Sequence, residues 1–275
     1  GLVRRTPVLP PSERDDPGVW LKCEFLQHTG VFKVRGALNL LLAARERGEL
    51  APGRGVVIAS GGNAGLATAY AASTLGVTAT VFVPSAASPV KLARLRGYGA
   101  EVRVVGSEYA HAAEAAEAFA ADTGALRSHA YDLPDVVAGA GTLALELAQD
   151  VPDLDTVVVA VGGGGLFAGI AAALQGRARI VAVEPASAPT LRSAIEAGQP
   201  VDVAVGGVAV DSLGARRVGA IAWSVARRTG PVSVLVADED IVRARHRLWR
   251  DHRIAAEAGA ATAYAALLAG AHVPA

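Results

Sequence analysis

Lysine is nearly missing from this 275-residue sequence. Of its 26 basic side chains only Lys22, Lys33 and Lys91 are lysines, and all the others are arginines. A surface charge, an ion pair or a phosphate contact can be served by either residue, but only the primary amine has a pKa that burial brings into the range of proton transfer. Lys33, inside "HTGVFKVRGALN", is therefore a candidate nucleophile or proton carrier. Its alternative is a chance lysine on an amphipathic helix. Other shortages exclude whole classes. A net charge of zero and the lack of any basic run give nothing for nucleic acid or an anionic membrane surface to bind. The single Cys23 excludes an internal disulfide. It sits in the apolar run "VWLKCEFL" and reads as a small core residue. No signal peptide opens the chain, so the cytoplasm is the expected location. Met is absent even at position 1 and the chain stops without a helix stop, which suggests residues missing at the ends.

What is present is abundant Ala, Val and Leu within a hydrophobic content of 52%. The longest uncharged stretch, Val157–Leu174, nominally reaches membrane-spanning length. Four glycines in its middle instead divide it into a β-branched strand, a loop and an Ala/Leu helix. That alternation runs along the chain. Strands are expected at 19–25, 55–59, 77–83, 101–105, 126–130, 157–161, 180–183 and 232–236. Helices are expected at 34–47, 64–75, 90–97, 110–122, 134–149, 166–174, 190–197, 216–228, 239–250 and 257–268. Strands regularly separated by helices call for parallel sheets covered on both faces. The number of elements exceeds one modest sheet, so two doubly wound α/β lobes are expected, with the ligand in a cleft at the carboxyl ends of strands.

Two strand-to-helix loops stand out. In "IASGGNAGLA", Ser60-Gly61-Gly62-Asn63 precedes a helix opening at Ala64-Gly65. N–H groups at a helix start, with glycines allowing close approach, form an anion pocket; an ordinary capped turn is the alternative. In "VAVGGGGLFAG", Gly162-Gly163-Gly164-Gly165 offers backbone N–H groups with no side chains, as a phosphate requires. The same loop fits a dinucleotide fingerprint over Gly163–Ala168, with Glu184 some twenty residues on where a ribose-binding acid would stand. An NAD-dependent oxidoreductase is thus one reading. It leaves Lys33 and the Ser60–Asn63 pocket unexplained. Pyridoxal phosphate, with an aldehyde for an amine, a phosphate for a glycine loop and an amino-acid substrate whose carboxylate needs a second anion pocket, explains all three.

The motifs also carry a resemblance. "TGVFKVRGALN" resembles the lysine motif of the fold type II pyridoxal-phosphate enzymes, and of the serine/threonine dehydratases in particular. "RRTPVL" (Arg4–Leu9), "SGGNAG" (Ser60–Gly65), "LRGYGAEVRVVG" (Leu95–Gly106), "AGAGTLALEL" (Ala138–Leu147), "VGGGGL" (Val161–Leu166), "GVAVDSLGARRVG" (Gly207–Gly219) and "RIAAEAGAATAYAAL" (Arg253–Leu267) follow in that family's order. The resemblance implies that Lys33 joins the cofactor aldehyde as a Schiff base and later moves protons. It implies Phe32 against the cofactor ring, Asn63 on the ring oxygen, and backbone N–H groups of Gly162, Gly163, Gly164, Gly165 and Leu166 on the phosphate. Ser60, Gly61, Asn63 and Ala64 would hold the substrate carboxylate. Residues 1–36 and 138–275 would form the large cofactor-binding lobe, and 37–137 the small substrate-side lobe. The implied reaction takes L-threonine to 2-oxobutanoate, or L-serine to pyruvate, with release of ammonia; a homodimer is expected.

Amino-acid racemisation and other β-eliminations use the same constellation, with Ser60 the candidate second acid/base of a racemase. The sequence departs from the family pattern at Val31, where Ser is usual, at Ala140, where Gln is common, and at Ala258, where Pro is common. It also ends before the strand that usually meets the pyridine nitrogen. The six His residues show no metal-ligand spacing, and no metal is assigned.

Overall fold

The computed structural model describes residues 1–11, 18–51, 53–151 and 153–270. In chain order it contains β1 (Val8–Leu9), β2 (Leu21–Lys22), α1 (Lys33–Glu46), β3 (Val56–Ala59), α2 (Asn63–Thr74), β4 (Ala79–Val83), α3 (Pro89–Gly97), β5 (Glu101–Val104), α4 (Tyr109–Thr123), β6 (Leu126–Arg127) and α5 (Pro134–Asp150). There follow β7 (Thr156–Ala160), α6 (Gly165–Leu174), β8 (Arg179–Pro185), α7 (Thr190–Ala197), α8 (Val210–Leu213), α9 (Ala220–Thr229), β9 (Val232–Val236), α10 (Asp238–His252) and α11 (Ala258–Leu268). Contacts divide the chain into two compact units, residues 1–6 with 24–140 and residues 7–23 with 141–275.

The first unit holds a four-stranded sheet in the order β5-β4-β3-β6, with every neighbouring pair parallel. Its central strands are β-branched runs, and the two-residue side-chain period of a strand sends alternate residues to opposite faces. Val56, Ile58, Val81 and Val83 pack with Val34, Leu38 and Leu41 of α1, with Leu66 and Ala67 of α2 and with Leu95 of α3. Val57 and Phe82 face the other way, onto Ala112, Ala116 and Phe119 of α4. Both faces are therefore covered, which is why the strands read as continuous hydrophobic runs.

The second unit holds the parallel sheet β7-β8-β9 and the short antiparallel pair β1-β2. Val181, Val183, Val234 and Val236 bury against Ile241, Ala244 and Leu248 of α10 and Tyr264 and Ala265 of α11. Cys23 is buried, with its thiol directed at the Leu21 carbonyl oxygen (3.4 Å). Lys22 is accounted for by an ion pair with Glu146 (2.7 Å). Among the described residues no helix is long and apolar enough to cross a membrane.

Three segments differ from expectation. The strand expected over 19–25 is only Leu21–Lys22, because the chain then turns into 3₁₀ helices at Glu24–Leu26 and His28–Gly30. Glu24 is held there by two guanidinium nitrogens of buried Arg35 (2.9 Å each), and the Gln27 side chain accepts from the N–H groups of Arg4 and His28. The helix expected from 216 begins at Ala220, since the Arg216 carbonyl accepts from Val203 N and Gly219 N donates to the Gly163 carbonyl. The short α8 has no counterpart among the expected helices, as four residues show no helical period.

Candidate active site

Lys33 is the first residue of α1, placed there by the turn over Gln27–Phe32. Its amine donates to the carbonyl oxygen of Ala130 at 2.8 Å and lies 5.1 Å from the Phe32 ring centroid. Burial brings its pKa down to about 8. Its position at the positive end of a helix, with no acid in the first turn, acts in the same direction.

The Ala130 carbonyl is presented by a loop that continues the sheet. Ser128 N still donates to Val57 O, extending the β3–β6 pairing by one bond. The chain then curls because Tyr131 N and Asp132 N both donate to His129 Nδ1 (3.2 and 2.9 Å). The strand expected to Ala130 therefore stops at Arg127. Because β3 and β6 are parallel neighbours, the same carboxyl end of the sheet delivers Ser60–Asn63 directly after β3. Ser60 Oγ accepts from Gly62 N at 3.3 Å, and Asn63 opens α2. Gly61 is half-buried and Ala64 is buried. The first turn of α2 is folded tightly onto this loop, for a Cβ at Gly65 would overlap the Ser60 carbonyl oxygen. Within the first unit, then, the predicted lysine and the predicted carboxylate pocket sit at one end of one sheet.

The glycine run lies in the second unit, between β7 and α6. Gly164 caps α6 with φ +88°, and a Cβ there would stand 2.5 Å from that of Ala222; both facts require glycine. The carbonyls of the loop are taken up by the protein. Gly162 O accepts from Thr190 Oγ1 at 2.5 Å, and Gly163 O accepts from Gly219 N at 3.0 Å. In a trans peptide N–H and C=O point in opposite directions. Pinning these two carbonyls turns the N–H groups of Gly163 and Gly164 away from the protein bonds, beside the start of α6 at Gly165 and Leu166. A buried amine of lowered pKa and a row of outward backbone donors at a helix start are the groups a phosphorylated aldehyde needs. The residues present fit pyridoxal phosphate.

Glu184 does not serve a ribose. It is fully buried at the end of β8, and accepts from Leu191 N (2.7 Å) and Arg192 N (2.8 Å) at the start of α7, with Thr190 Oγ1 at 3.1 Å. A carboxylate enclosed in this way cannot reach a dinucleotide, and the oxidoreductase reading falls. The sequence did not disclose Thr190, His129 or Ala130 as partners of the site, because none belongs to a motif. Among the described residues no His, Cys, Asp or Glu cluster could hold a metal ion.

Comparison with known proteins agrees. A family model described as pyridoxal-phosphate dependent enzyme matches residues 1–273. The L-threonine ammonia-lyase of Geobacter sulfurreducens is 38% identical over 272 residues, 97% of this chain and 67% of that protein. The chain spans only about half the length of the biosynthetic threonine dehydratases it also matches. The solved T.th. threonine deaminase superposes with a TM-score of 0.90 at 33% identity, covering 99% of this chain and 90% of that one. The serine racemase of Dictyostelium discoideum gives 0.87 at 33% identity, covering 97% and 86%. The lysine at the head of α1, the glycine loop before α6 and a match along almost the whole sequence lead to one conclusion: the chain belongs to the family of pyridoxal-phosphate-dependent enzymes.

Proposed function

We propose that the protein is a pyridoxal-phosphate-dependent ammonia-lyase that converts L-threonine, L-serine or both to the 2-oxo acid and ammonia. The observation that carries this is the Lys33 amine, held on the Ala130 carbonyl with a pKa of about 8, at the same sheet end as the Ser60–Asn63 pocket. Residues 1–36 and 138–275 carry the cofactor in this reading, and 37–137 serve the substrate.

The cofactor supplies an aldehyde for amines and a ring that spreads the negative charge developing at the substrate α-carbon. The chain supplies the rest. The N–H groups at the start of α6 bind the phosphate dianion, and Phe32 and Asn63 orient the ring. Ser60, Gly61, Asn63 and Ala64 take the substrate carboxylate at the start of α2, which fixes the α-hydrogen relative to Lys33. The neutral amine accepts that proton as general base, a role suited to a pKa close to the working pH. The β-hydroxyl leaves as water, and water enters again when the product amine is released as ammonia, so the balance is a 2-oxo acid and ammonia for each amino acid.

The test is 2-oxo acid release from L-threonine and L-serine by the full-length protein with pyridoxal phosphate, beside Lys33→Ala. Turnover that disappears in the variant is expected. Inversion of L-serine to D-serine without 2-oxo acid would instead make the protein a racemase, with Ser60 as the second acid/base. Absence of turnover together with absence of a cofactor absorbance band would overturn the proposal.

A further inference from the structure

The Thr190 hydroxyl has one hydrogen and two oxygen neighbours, Gly162 O at 2.5 Å and Glu184 Oε1 at 3.1 Å. A carbonyl oxygen can only accept, so at the shorter contact the hydrogen is on Thr190 Oγ1 and points to Gly162. The other contact is then a hydroxyl lone pair facing a carboxyl oxygen, which attracts only if the carboxyl carries a proton and donates it. We propose that Glu184 is held as the neutral acid and that the relay Glu184–Thr190–Gly162 makes both side chains positioning residues for the phosphate-binding glycine loop. This rests on the reading that the loop binds the cofactor phosphate.

The local surroundings support the neutral form. Glu184 has no exposed surface, and burial pushes its pKa up to about 7. Three groups work against this, the N–H groups of Leu191 and Arg192 and the Thr190 hydroxyl, and the charge acting on it is that of Arg192. That guanidinium is itself directed to Ser233 on β9, through Nε to the hydroxyl (2.9 Å) and through a terminal nitrogen to the carbonyl, and lies 3.9 Å from Glu196 on α7. Glu184 pairs in register with Leu235 of β9, which brings no titratable group.

The consequence for the loop is directional. With Glu184 neutral, Thr190 donates to Gly162 O, and the peptide between Gly162 and Gly163 is fixed with its N–H on the opposite side. When Glu184 ionises, its carboxylate competes for the Thr190 hydrogen. Gly162 O then loses its donor and faces an oxygen lone pair at short range, so the peptide rotates or moves away and the Gly163 N–H leaves its place. Phosphate affinity falls as pH rises through the Glu184 pKa. Lys33 acts in the opposite sense, since its amine must be neutral to bond an aldehyde, and the two effects are separated by choosing the probe.

The experiment titrates the full chain, stripped of cofactor, with pyridoxine 5′-phosphate, which has the phosphate and ring but no aldehyde. Affinity is read by fluorescence between pH 7 and 8.5, where the phosphate is already a dianion. Wild-type affinity is expected to drop about fivefold across this interval, the equivalent of one neutral hydrogen bond. Thr190→Val should bind about fivefold more weakly at pH 7 with a flat profile, Thr190→Ser should restore affinity and slope, and Glu184→Gln, permanently neutral, should flatten the profile at high affinity. A merely structural Thr190 would lower melting temperature in Thr190→Val without removing the slope, and that result overturns the proposal. So does a wild-type profile independent of pH. Failure of wild type to bind pyridoxine 5′-phosphate and pyridoxal phosphate alike would overturn the cofactor reading itself, and the relay with it.

Discussion

The rate at which Lys33 captures pyridoxal phosphate should follow the ionisation of a buried amine. An ordinary lysine, at its usual value of 10.5, is neutral in about one molecule in 3,000 at pH 7, whereas an amine at about 8 is neutral in about one in eleven. Only the neutral form attacks an aldehyde, so placement at the head of α1 raises reactivity at pH 7 by about 300-fold. The physical sources are desolvation and the positive end of a helix without a first-turn acid. Stopped-flow absorbance on the stripped protein, from pH 6 to 10.5, should show the rate of bond formation rising tenfold per unit and levelling off near pH 8. The measurement is made at saturating cofactor, where weaker phosphate binding by ionised Glu184 no longer enters. Lys33→Arg should form no bond at any pH, because guanidinium does not lose its proton in this range. A rate that keeps climbing past pH 9.5 would place the amine at its solvent value and refute the argument from burial.

Two further perturbations test the scaffold around the lysine and the carboxylate pocket. Gly65→Ala drives a Cβ into the Ser60 carbonyl oxygen, so the Ser60–Asn63 loop must move; we expect a loss of about 1–3 kcal/mol in urea unfolding and a KM for amino acid that rises more than kcat falls, with unchanged cofactor absorbance. Arg35→Met leaves Glu24 without the two guanidinium bonds that hold the turn before Lys33. Breaking such a buried pair costs about 3–5 kcal/mol, to be read by urea unfolding, and Glu24→Gln in the same chain should recover part of it.

How much of this was visible in the sequence depends on the range of the interaction responsible. Helix Thr190–Ala197 and strand Val232–Val236 coincide with expectation to the residue, because their limits are set by neighbours in the chain: Pro189 before one helix start, Gly230-Pro231 before the strand. Val19–Phe25 misleads for the opposite reason. Its β-branched and aromatic residues favour a strand, but Arg35, eleven positions away from Glu24, pulls the chain into a turn, and an ion pair at that distance leaves no local signal. The site divides along the same line. Lys33 was legible because the sequence avoids lysine elsewhere, and the glycines because so few conformations can use four in a row. Glu184 was legible as a charged residue closing a buried strand, yet its assignment was wrong. Nothing local says that α7 will bring Leu191 N, Arg192 N and the Thr190 hydroxyl onto it. A ribose acid must keep two oxygens open to a ligand, and here both are occupied by the helix start that follows. The residue that reads as a rival cofactor's contact is instead placed to govern the carbonyl of the first glycine in the phosphate loop, a role that exists only once β8, α7 and that loop are packed together.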